Sequence, residues 1–394
     1  MTAVLDGVRV LDFGRYIAGP FCGALLADFG ADVIRIEKRS GSEDRYITPI
    51  TEGGDGALYL QLNRNKRSLT LDPQHPDGRA VVRRLAATSQ VVIANLPGPS
   101  LTAMGVDYES LKAARGDIIL ATMSAFGDQG PYSHRVGFDG VAQALCGAAY
   151  MGGHPGQPIK SYVPWADFGT ASLVAFGILA ALMEHRRTGK GQKVDGALLR
   201  TALTFNNSLL IEQAVIAANR TPTANRSQFA SPSDLFTTMD GAVIVQIVGR
   251  PLFERWAALM DEDHWLTDPR FKDDISRGDH GEALSARMQA WCAERSTADV
   301  LAALDRARIP CGPVHAPAAT LKDPQVAAMS FLQPTDYPGL PRPAPIASTP
   351  IELSETPGTI RHRAPTLGEH TDEILGSLGY SEAEIGALRR DGVV

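Results

Sequence analysis

The chain has 394 residues, of which 44% are hydrophobic and 21% charged, and its formal net charge is −6. This length favours two domains over one, and the mild acidity argues against a nucleic-acid partner, which would require clustered Lys and Arg. Charge, Gly or Pro interrupts every apolar run, so no membrane span is predicted, and the N-terminus lacks the pattern of a secretory signal.

The N-terminal half alternates apolar strands with helical patterns. Strands are predicted at 8–13, 32–38, 68–72, 91–96 and 118–126, and the helices between them include 19–30 and 78–88. Strand–helix repetition of this kind is typical of a parallel sheet with helices on both faces. The predicted fold class is therefore α/β.

A long apolar helix is predicted to follow Asp167 and to end at "RRTGKGQK", where basic residues precede Gly189. An aspartate at a helix start usually caps the helix by accepting hydrogen bonds from its first N–H groups. The same positive helix end could instead keep a carboxylate ionised for nucleophilic attack. The local sequence leaves both interpretations open.

The C-terminal half has a different pattern. A polar stretch at 218–234 predicts a linker, and a β-hairpin with its turn at Asp240-Gly241 follows. Three helical patterns come next and predict a smaller α+β domain over 225–327. A Pro-rich stretch, "YPGLPRPAPI", then leads to a final helical segment at 371–389.

One polar motif, "LNRNKRSLTLD", combines Arg and Lys with amide side chains. Its Arg64, Lys66 and Arg67 form either a solvated turn or a patch that grips phosphate, to which Lys38 could add. Asn95 ends another predicted strand, at the sheet edge where α/β proteins bind ligands. A phosphate-bearing ligand at this edge is one interpretation of both features.

The first strand–turn–helix also suggests a dinucleotide site. However, Gly14, Gly19 and Gly23 are spaced too widely for G-x-G-x-x-G, so the backbone could not close on a pyrophosphate in the usual way. A nicotinamide enzyme is therefore a weak alternative.

The four cysteines are scattered along the chain without a C-x-x-C pair, and the nine histidines lack metal-ligand spacing. Free thiols in a reducing, cytoplasmic compartment are predicted, with neither disulfides nor a metal site.

Seven stretches together resemble the family III CoA-transferases, the family that includes formyl-CoA transferase and carnitine CoA-transferase. They are "LDGVRVLDFGRYIAGPFCGALLADFGADVIRIEK", "LNRNKRSLTLD", "GFDGVAQALCG", "WADFGTASLVAFGILAAL", "TGKGQKVD", "IPCGPV" and "PTLGEHTDEIL". They cover nearly the whole chain in the family's order, and several are highly specific.

The resemblance implies a Rossmann-like large domain over 1–205, completed by 328–394, beside the smaller α+β domain over 225–327. It also implies a homodimer in which two chains are threaded through each other as interlocked rings. Coenzyme A would enter as part of the substrate, so no separate cofactor is expected.

The resemblance assigns Asp167 as the catalytic nucleophile, with Phe138 and Asp139 as supporting residues. CoA contacts are implied for a larger set: Tyr16, Ile17, Lys38, Asn65, Lys66, Arg67, Asn95 and Leu96. Asp167 would attack an acyl-CoA thioester to give an anhydride and then an aspartyl-CoA thioester. The N–H groups at the helix start would keep its carboxylate charged.

The competing activity within this resemblance is racemisation of a 2-methylacyl-CoA, which needs two bases on opposite faces of the α-carbon. In the racemases a His partners the aspartate, whereas this chain has Phe138, which cannot move a proton. The transferase is therefore favoured. Ile17 replaces the glutamine of formyl-CoA transferases, and Ala103 replaces an arginine that many members carry.

Arg250 lies at a predicted strand-to-helix turn of the smaller domain. It is either an ordinary exposed arginine or a fork for a second acidic group on the substrate. The second interpretation predicts dicarboxylic substrates, with succinyl-CoA as a natural donor.

Overall fold

The computed structural model of the protein describes residues 3–394, which form two compact units. The first unit comprises the chain up to Cys146, Tyr162–Ser208 and Ala328–Val394, and the second comprises Gly147–Ser161 and Leu209–Ala327. Sequence analysis placed 147–161 in the large domain. This segment clusters instead with the second unit, where the N–H of Ala224 donates to the carbonyl of Gly153.

A six-stranded sheet forms the centre of the first unit. Its strands are β1 (Arg9–Asp12), β2 (Asp32–Glu37), β3 (Lys66–Thr70), β4 (Val91–Ala94), β5 (Ile119–Ser124) and β6 (Lys193–Ala197). All neighbours pair in parallel, in the order β3-β2-β1-β4-β5-β6. This is the order of doubly wound nucleotide-binding sheets, so the predicted α/β class with a parallel sheet is confirmed.

Helices connect these strands. They are α1 (Ala18–Asp28), α2 (Ala57–Leu62), α3 (Pro76–Ala87), α4 (Gly98–Met104), α5 (Tyr108–Ala114), α6 (Asp139–Leu145), α7 (Ala148–Met151) and α8 (Trp165–Thr188), and α9 (Leu198–Ile216) follows the last strand. Helix α7 and the part of α9 from Leu209 onward lie in the second unit. Two apolar cores cover the two faces of the sheet, one including Leu11 and Val92, the other Val10 and Ile93. Alternate residues of β1 and β4 thus point to opposite faces, as the pleat requires.

Helix α8 is the one helix of residues 3–394 that is long and apolar enough to cross a membrane by length and composition. Sequence analysis expected no such segment. The helix packs against α1, β5 and β6, and Ala171, Val174 and Ile178 are buried in the core that α1 shares. Burial against the sheet explains the apolar residues on this face of α8.

The second unit contains a three-stranded antiparallel sheet of β7 (Asp234–Thr237), β8 (Ala242–Val245) and β9 (Cys311–Pro313). Its further helices are α10 (Arg250–Met260), α11 (Asp274–Asp279), α12 (Gly281–Ala293), α13 (Thr297–Arg306), α14 (Pro317–Thr320) and most of α15 (Pro324–Ala328). The N–H of Thr238 donates to the carbonyl of Gly241, so the β7–β8 hairpin turns where Asp240-Gly241 predicts it.

The C-terminal segment belongs to the first unit. It forms the hairpin of β10 (Leu332–Thr335) and β11 (Ala344–Ala347), followed by α16 (Thr371–Ser377) and α17 (Glu382–Arg390). Beside the edge strand β3, the N–H of His370 donates to the carbonyl of Ser68, and the N–H of Thr70 donates to the hydroxyl of Thr371. This segment therefore covers an edge of the parallel sheet that would otherwise be open.

Candidate active site

Asp167 is the third residue of α8, but it does not cap the helix. The N–H groups of Ala166 and Asp167 donate to Oδ1 of Asp139, at 2.7 and 3.2 Å. Asp139 itself is buried and is the first residue of α6. A distant aspartate thus satisfies the free N–H groups of α8, and the capping interpretation of Asp167 is wrong.

This arrangement leaves the carboxylate of Asp167 without a stabilising partner. Among residues 3–394, no group donates a hydrogen bond to it, and the side chain is half-buried. Burial and then the negative charge of Asp139 raise the pKa of Asp167 to about 7. The expectation that the helix N–H groups keep Asp167 fully charged is therefore wrong, because those groups bind Asp139.

Aromatic contacts connect the start of α1 to the residues around Asp167. The rings of Phe21 and Phe168 meet edge to face at 5.0 Å between centroids, and those of Tyr16 and Phe138 at 5.3 Å. Phe138 directly precedes Asp139 and is 61% exposed. Five residues predicted for the site, Tyr16, Ile17, Phe138, Asp139 and Asp167, thus lie on three adjoining chain segments.

The turn between β1 and α1 is tight and strained. Tyr16 has a φ of 59°, in the left-handed region that residues with side chains rarely adopt. A Cβ on Gly14 would lie 2.8 Å from the backbone of Gly19, so this pair must be glycine to let the turn pack on the helix. The glycines thus serve close packing and do not form a dinucleotide fingerprint.

A cavity of ≈ 490 Å³ opens at the carboxyl ends of β1, β2 and β3, a volume within the range of small-molecule sites. Its lining includes Lys38, which forms an ion pair with Glu43, together with Arg15, whose Nη1 donates to the carbonyl of Ile36 at 3.2 Å. The full lining is Phe13, Arg15, Ile36, Glu37, Lys38, Arg39, Ser40, Leu71, Asp72, Pro73, Gln74, Met104 and Gly392. Basic side chains beside an apolar slot suit a nucleotide with phosphates.

Lys66 does not reach this cavity. Its Nζ is buried and donates to Asp12 Oδ2, to the carbonyl of Pro20 and to Asn63 Oδ1, at 2.7, 2.7 and 3.0 Å. Burial lowers the pKa of Lys66 to about 8, while Asp12 opposes this change. All three ammonium protons are used inside the protein, so the contact of Lys66 with CoA, which stays a prediction, would require breaking one of these bonds.

The neighbours of Lys66 are also engaged. The side chain of Asn65 donates to Asp28 and Thr359 and accepts from the N–H groups of Arg361 and His362. It therefore holds the C-terminal segment in place and has no capacity left for CoA.

Arg67 and Arg64 bind carboxylates as well. Arg67 forms a bidentate pair with Asp32 and a second pair with Glu373, and buried Arg64 pairs with Asp28. The CoA contact of Arg67 stays a prediction, and CoA would have to compete with these carboxylates for its fork.

Asn95 has a structural role at the sheet edge. Its Oδ1 accepts from the N–H of Arg15 at 2.7 Å, and its Nδ2 donates to the carbonyl of Arg15 at 2.8 Å. Leu96 packs against the apolar core of the sheet. Asn95 therefore fixes the turn that carries Arg15 and Tyr16, and because these bonds use one of its two N–H groups and one of its two lone pairs, its contact with CoA stays a prediction.

Comparison with known proteins shows which protein family this chain belongs to. The sequence profile of CoA-transferase family III matches residues 5–371. This chain belongs to CoA-transferase family III. The prediction from sequence that it is a CoA-transferase is thereby confirmed.

Relatives of this CoA-transferase match along its full length. The succinyl-CoA–D-citramalate CoA-transferase of Chloroflexus aurantiacus is 32% identical, over 99% of this chain and 98% of its own length. The succinate–glutarate CoA-transferase of Agrobacterium fabrum is 33% identical, over 95% of both chains. Among solved structures, a CAIB/BAIF family protein from Brucella suis is 31% identical with a TM-score of 0.84, over 96% of this chain and 100% of its own.

Arg250 is the first residue of α10 in the second unit of the CoA-transferase. Its Nε pairs with Glu254 at 2.8 Å, its Nη2 donates to the carbonyl of Leu266 at 3.0 Å, and the side chain is 41% exposed. A substrate carboxylate would thus compete with Glu254 for this fork.

Sequence reasoning missed the segment 71–74 and Arg15 as cavity-lining residues. A signal was present, since 71–74 spans the end of the strand predicted at 68–72 and Arg15 follows the strand predicted at 8–13, at the edge of the sheet where ligands bind. The basic residues at the start of β3 directed the prediction to that end of the strand, whereas the cavity lies at its carboxyl end. Among residues 3–394, no group of His, Cys, Asp and Glu is placed to hold a metal ion.

Proposed function

We propose that this CoA-transferase moves CoA from a dicarboxylyl-CoA, with succinyl-CoA as the donor, to a carboxylic acid acceptor. The observation that carries the proposal is the position of the Asp167 carboxylate, which is half-buried, accepts no hydrogen bond from residues 3–394 and has a pKa raised to about 7 by burial and by Asp139. Relatives named for succinyl-CoA or succinate support the choice of donor.

The chemistry follows from a free carboxylate. An oxygen of Asp167 attacks the thioester carbon of the donor, the C–S bond breaks, and CoA leaves as a thiolate with an acyl-aspartyl anhydride remaining. The thiolate then attacks Cγ of Asp167 and expels the donor acid, which gives an aspartyl-CoA thioester. The acceptor carboxylate then attacks this Cγ and expels the CoA thiolate, which leaves an anhydride between Asp167 and the acceptor. The thiolate attacks the acyl carbon of the acceptor in this anhydride, which releases the new acyl-CoA and the carboxylate of Asp167.

Asp139 would serve this sequence as a positioning residue. By accepting from the N–H groups of Ala166 and Asp167, it fixes the first turn of α8. Its charge also raises the pKa of Asp167, which makes the ionised carboxylate more basic and a better nucleophile. Phe138, whose ring contacts that of Tyr16, cannot move a proton, which favours transfer over racemisation.

We also propose that the enzyme is a homodimer of interlocked rings in the cytoplasm, with no nucleic-acid partner and no cofactor beyond the CoA of its substrates. On the face of α8 turned away from the sheet, Phe176 and Met183 are 71% and 72% exposed. Such an exposed apolar stripe favours a subunit contact. Sedimentation on dilution tests this, because linked rings should not separate into monomers.

Trapping tests the covalent route. Enzyme loaded with succinyl-CoA and treated with hydroxylamine should yield a modified peptide containing Asp167, because hydroxylamine attacks the activated Cγ. Asp167→Asn should abolish exchange and trapping while CoA still binds. The matched control is Asp6→Asn, which changes an exposed aspartate without side-chain contacts among the described residues. An unmodified Asp167 peptide from active enzyme, or full exchange by Asp167→Asn, would rule out the nucleophile.

A further inference from the structure

Arg79 on α3 holds the C-terminal end of α4. Its Nε and Nη2 donate to the carbonyl of Ala103 at 3.0 and 2.5 Å. Ala103 lies in the last turn of α4, where carbonyl groups have no partner within the helix. A simple structural role, capping this helix end, would account for the contact and has to be separated from any further role.

The position of Arg79 points beyond capping. Met104, the residue after Ala103, lines the cavity of the first unit, and so does Gln74, just before α3. The N–H of Arg79 donates to the carbonyl of His75, so its backbone lies one helical turn from Gln74. The side chain of Arg79 thus projects from α3 to α4 between two segments that border the cavity.

The charge of Arg79 is unpaired, unlike that of Lys38. Among residues 3–394, no carboxylate lies within ion-pair distance of Arg79, and its side chain is exposed, whereas Lys38 pairs with Glu43. Nη1 of Arg79 makes no hydrogen bond with any of residues 3–394. Because the carbonyl of Ala103 already orients the planar guanidinium, its remaining N–H groups are fixed in direction before any ligand arrives.

The order of the sheet indicates which end of CoA enters the cavity. Helix α8, which carries Asp167, packs on β5 and β6, whereas the cavity lies at β1, β2 and the turn after β3. Since the thioester must reach Asp167, the nucleotide end of an extended CoA has to lie toward β3. The apolar side chains of Phe13, Ile36 and Met104 suit an adenine ring, which leaves its phosphates for the basic rim.

We propose that Arg79 binds a phosphate at the nucleotide end of CoA, and we assign it to the 3′-phosphate. The assignment rests on the proposed CoA-transferase function and adds a specificity-determining residue to it. A guanidinium with an unpaired charge and a fixed fork matches the geometry of phosphate oxygens. Arg79 would thereby distinguish CoA from dephospho-CoA, which lacks this group.

Calorimetric titration of the full chain with CoA and with dephospho-CoA tests the proposal without requiring turnover. The test variant is Arg79→Gln, and the matched control is Arg83→Gln. Arg83 is an exposed arginine one turn further along α3, and its side chain forms no hydrogen bond or ion pair among the described residues. We expect Arg79→Gln to weaken CoA binding about five- to tenfold and to leave dephospho-CoA binding unchanged. Arg83→Gln should change neither.

The remaining outcomes each decide against part of the proposal. If Arg79→Gln weakens the binding of CoA and dephospho-CoA equally and lowers the Tm, Arg79 is only a helix cap. If it weakens both equally at an unchanged Tm, Arg79 binds the diphosphate instead. Either result overturns the assignment of Arg79 to the 3′-phosphate. If Arg79→Gln does not fold, Arg79→Lys keeps the charge but removes the planar fork, and an undiminished preference for CoA over dephospho-CoA in that variant would overturn the fork geometry. Failure of the unmodified protein to bind CoA would refute the proposed function itself.

Discussion

Replacing Asp139 by asparagine separates its two effects on Asp167. Asparagine keeps a side-chain oxygen that can accept from the N–H groups of Ala166 and Asp167, which now bind Asp139 Oδ1 at 2.7 and 3.2 Å. It removes the negative charge that raises the pKa of Asp167. Asp139→Asn should therefore lower this pKa without releasing the first turn of α8.

The size of the effect follows from the causes of the shift. The interval between the ordinary value of 3.8 and about 7 corresponds to about 4 kcal/mol against the charged form. Burial is the larger cause and remains in the variant, so the charge of Asp139 accounts for less than half. We expect the pKa of Asp167 to fall by roughly one pH unit, or about 1.4 kcal/mol.

The assay is kcat/KM for CoA transfer between pH 5 and pH 9. For the unmodified enzyme the rate should rise with pH as Asp167 ionises, with a midpoint near 7, because only the carboxylate attacks. In Asp139→Asn this midpoint should move to lower pH by roughly one unit. Asp139→Ala, which also removes the acceptor, should move it similarly and in addition lose about 1 kcal/mol of stability with the helix cap. An unchanged midpoint in both variants, or a move to higher pH, would refute the reasoning.

Three further predictions follow from the same contacts. Asp167→Asn should raise the free energy of unfolding more at pH 8 than at pH 5, as measured by urea unfolding. The reason is that a raised carboxyl pKa destabilises the folded state progressively from pH 3.8 to about 7, by up to about 4 kcal/mol. An equal gain at both pH values would contradict this. Lys66→Met should lower the free energy of unfolding by about 3–5 kcal/mol, since it leaves Asp12 without its closest cation, with KM for acyl-CoA unchanged; a higher KM at full stability would restore Lys66 as a CoA ligand. Arg250→Ala should lower kcat/KM about tenfold for dicarboxylic acceptors and spare monocarboxylic ones, and an equal effect on both would exclude Arg250 as the selector.

Five of the six strands of the parallel sheet and the Asp167 junction could be predicted from the sequence because their signals are local, whereas β6 was not predicted. Short apolar runs such as "VVIANL", bounded by turn-forming residues, are typical of a buried strand, and strand–helix alternation then indicates a parallel sheet. The junction of a polar loop, Asp167 and a long apolar helix is likewise read along the chain. The family followed from such stretches, and with it the transferase activity.

The partners of the polar residues could not be predicted in this way. Lys66 binds Asp12, 54 residues away, and Asn65 holds a segment almost 300 residues further on. A basic motif has the same sequence whether it meets phosphate or buried carboxylates, and only the fold brings those carboxylates within reach.

The sequence by itself determined the α/β class and the order of most elements of the parallel sheet, because hydrophobic period and chain order depend on neighbouring residues, and the family resemblance singled out Asp167 as the proposed nucleophile. The tertiary structure decided which groups surround that aspartate. Asp139, 28 residues earlier, takes the helix N–H groups that Asp167 was expected to use. Burial and this second charge then set the proton affinity of Asp167, since desolvation and Coulomb interactions depend on distance in space and not on distance along the chain.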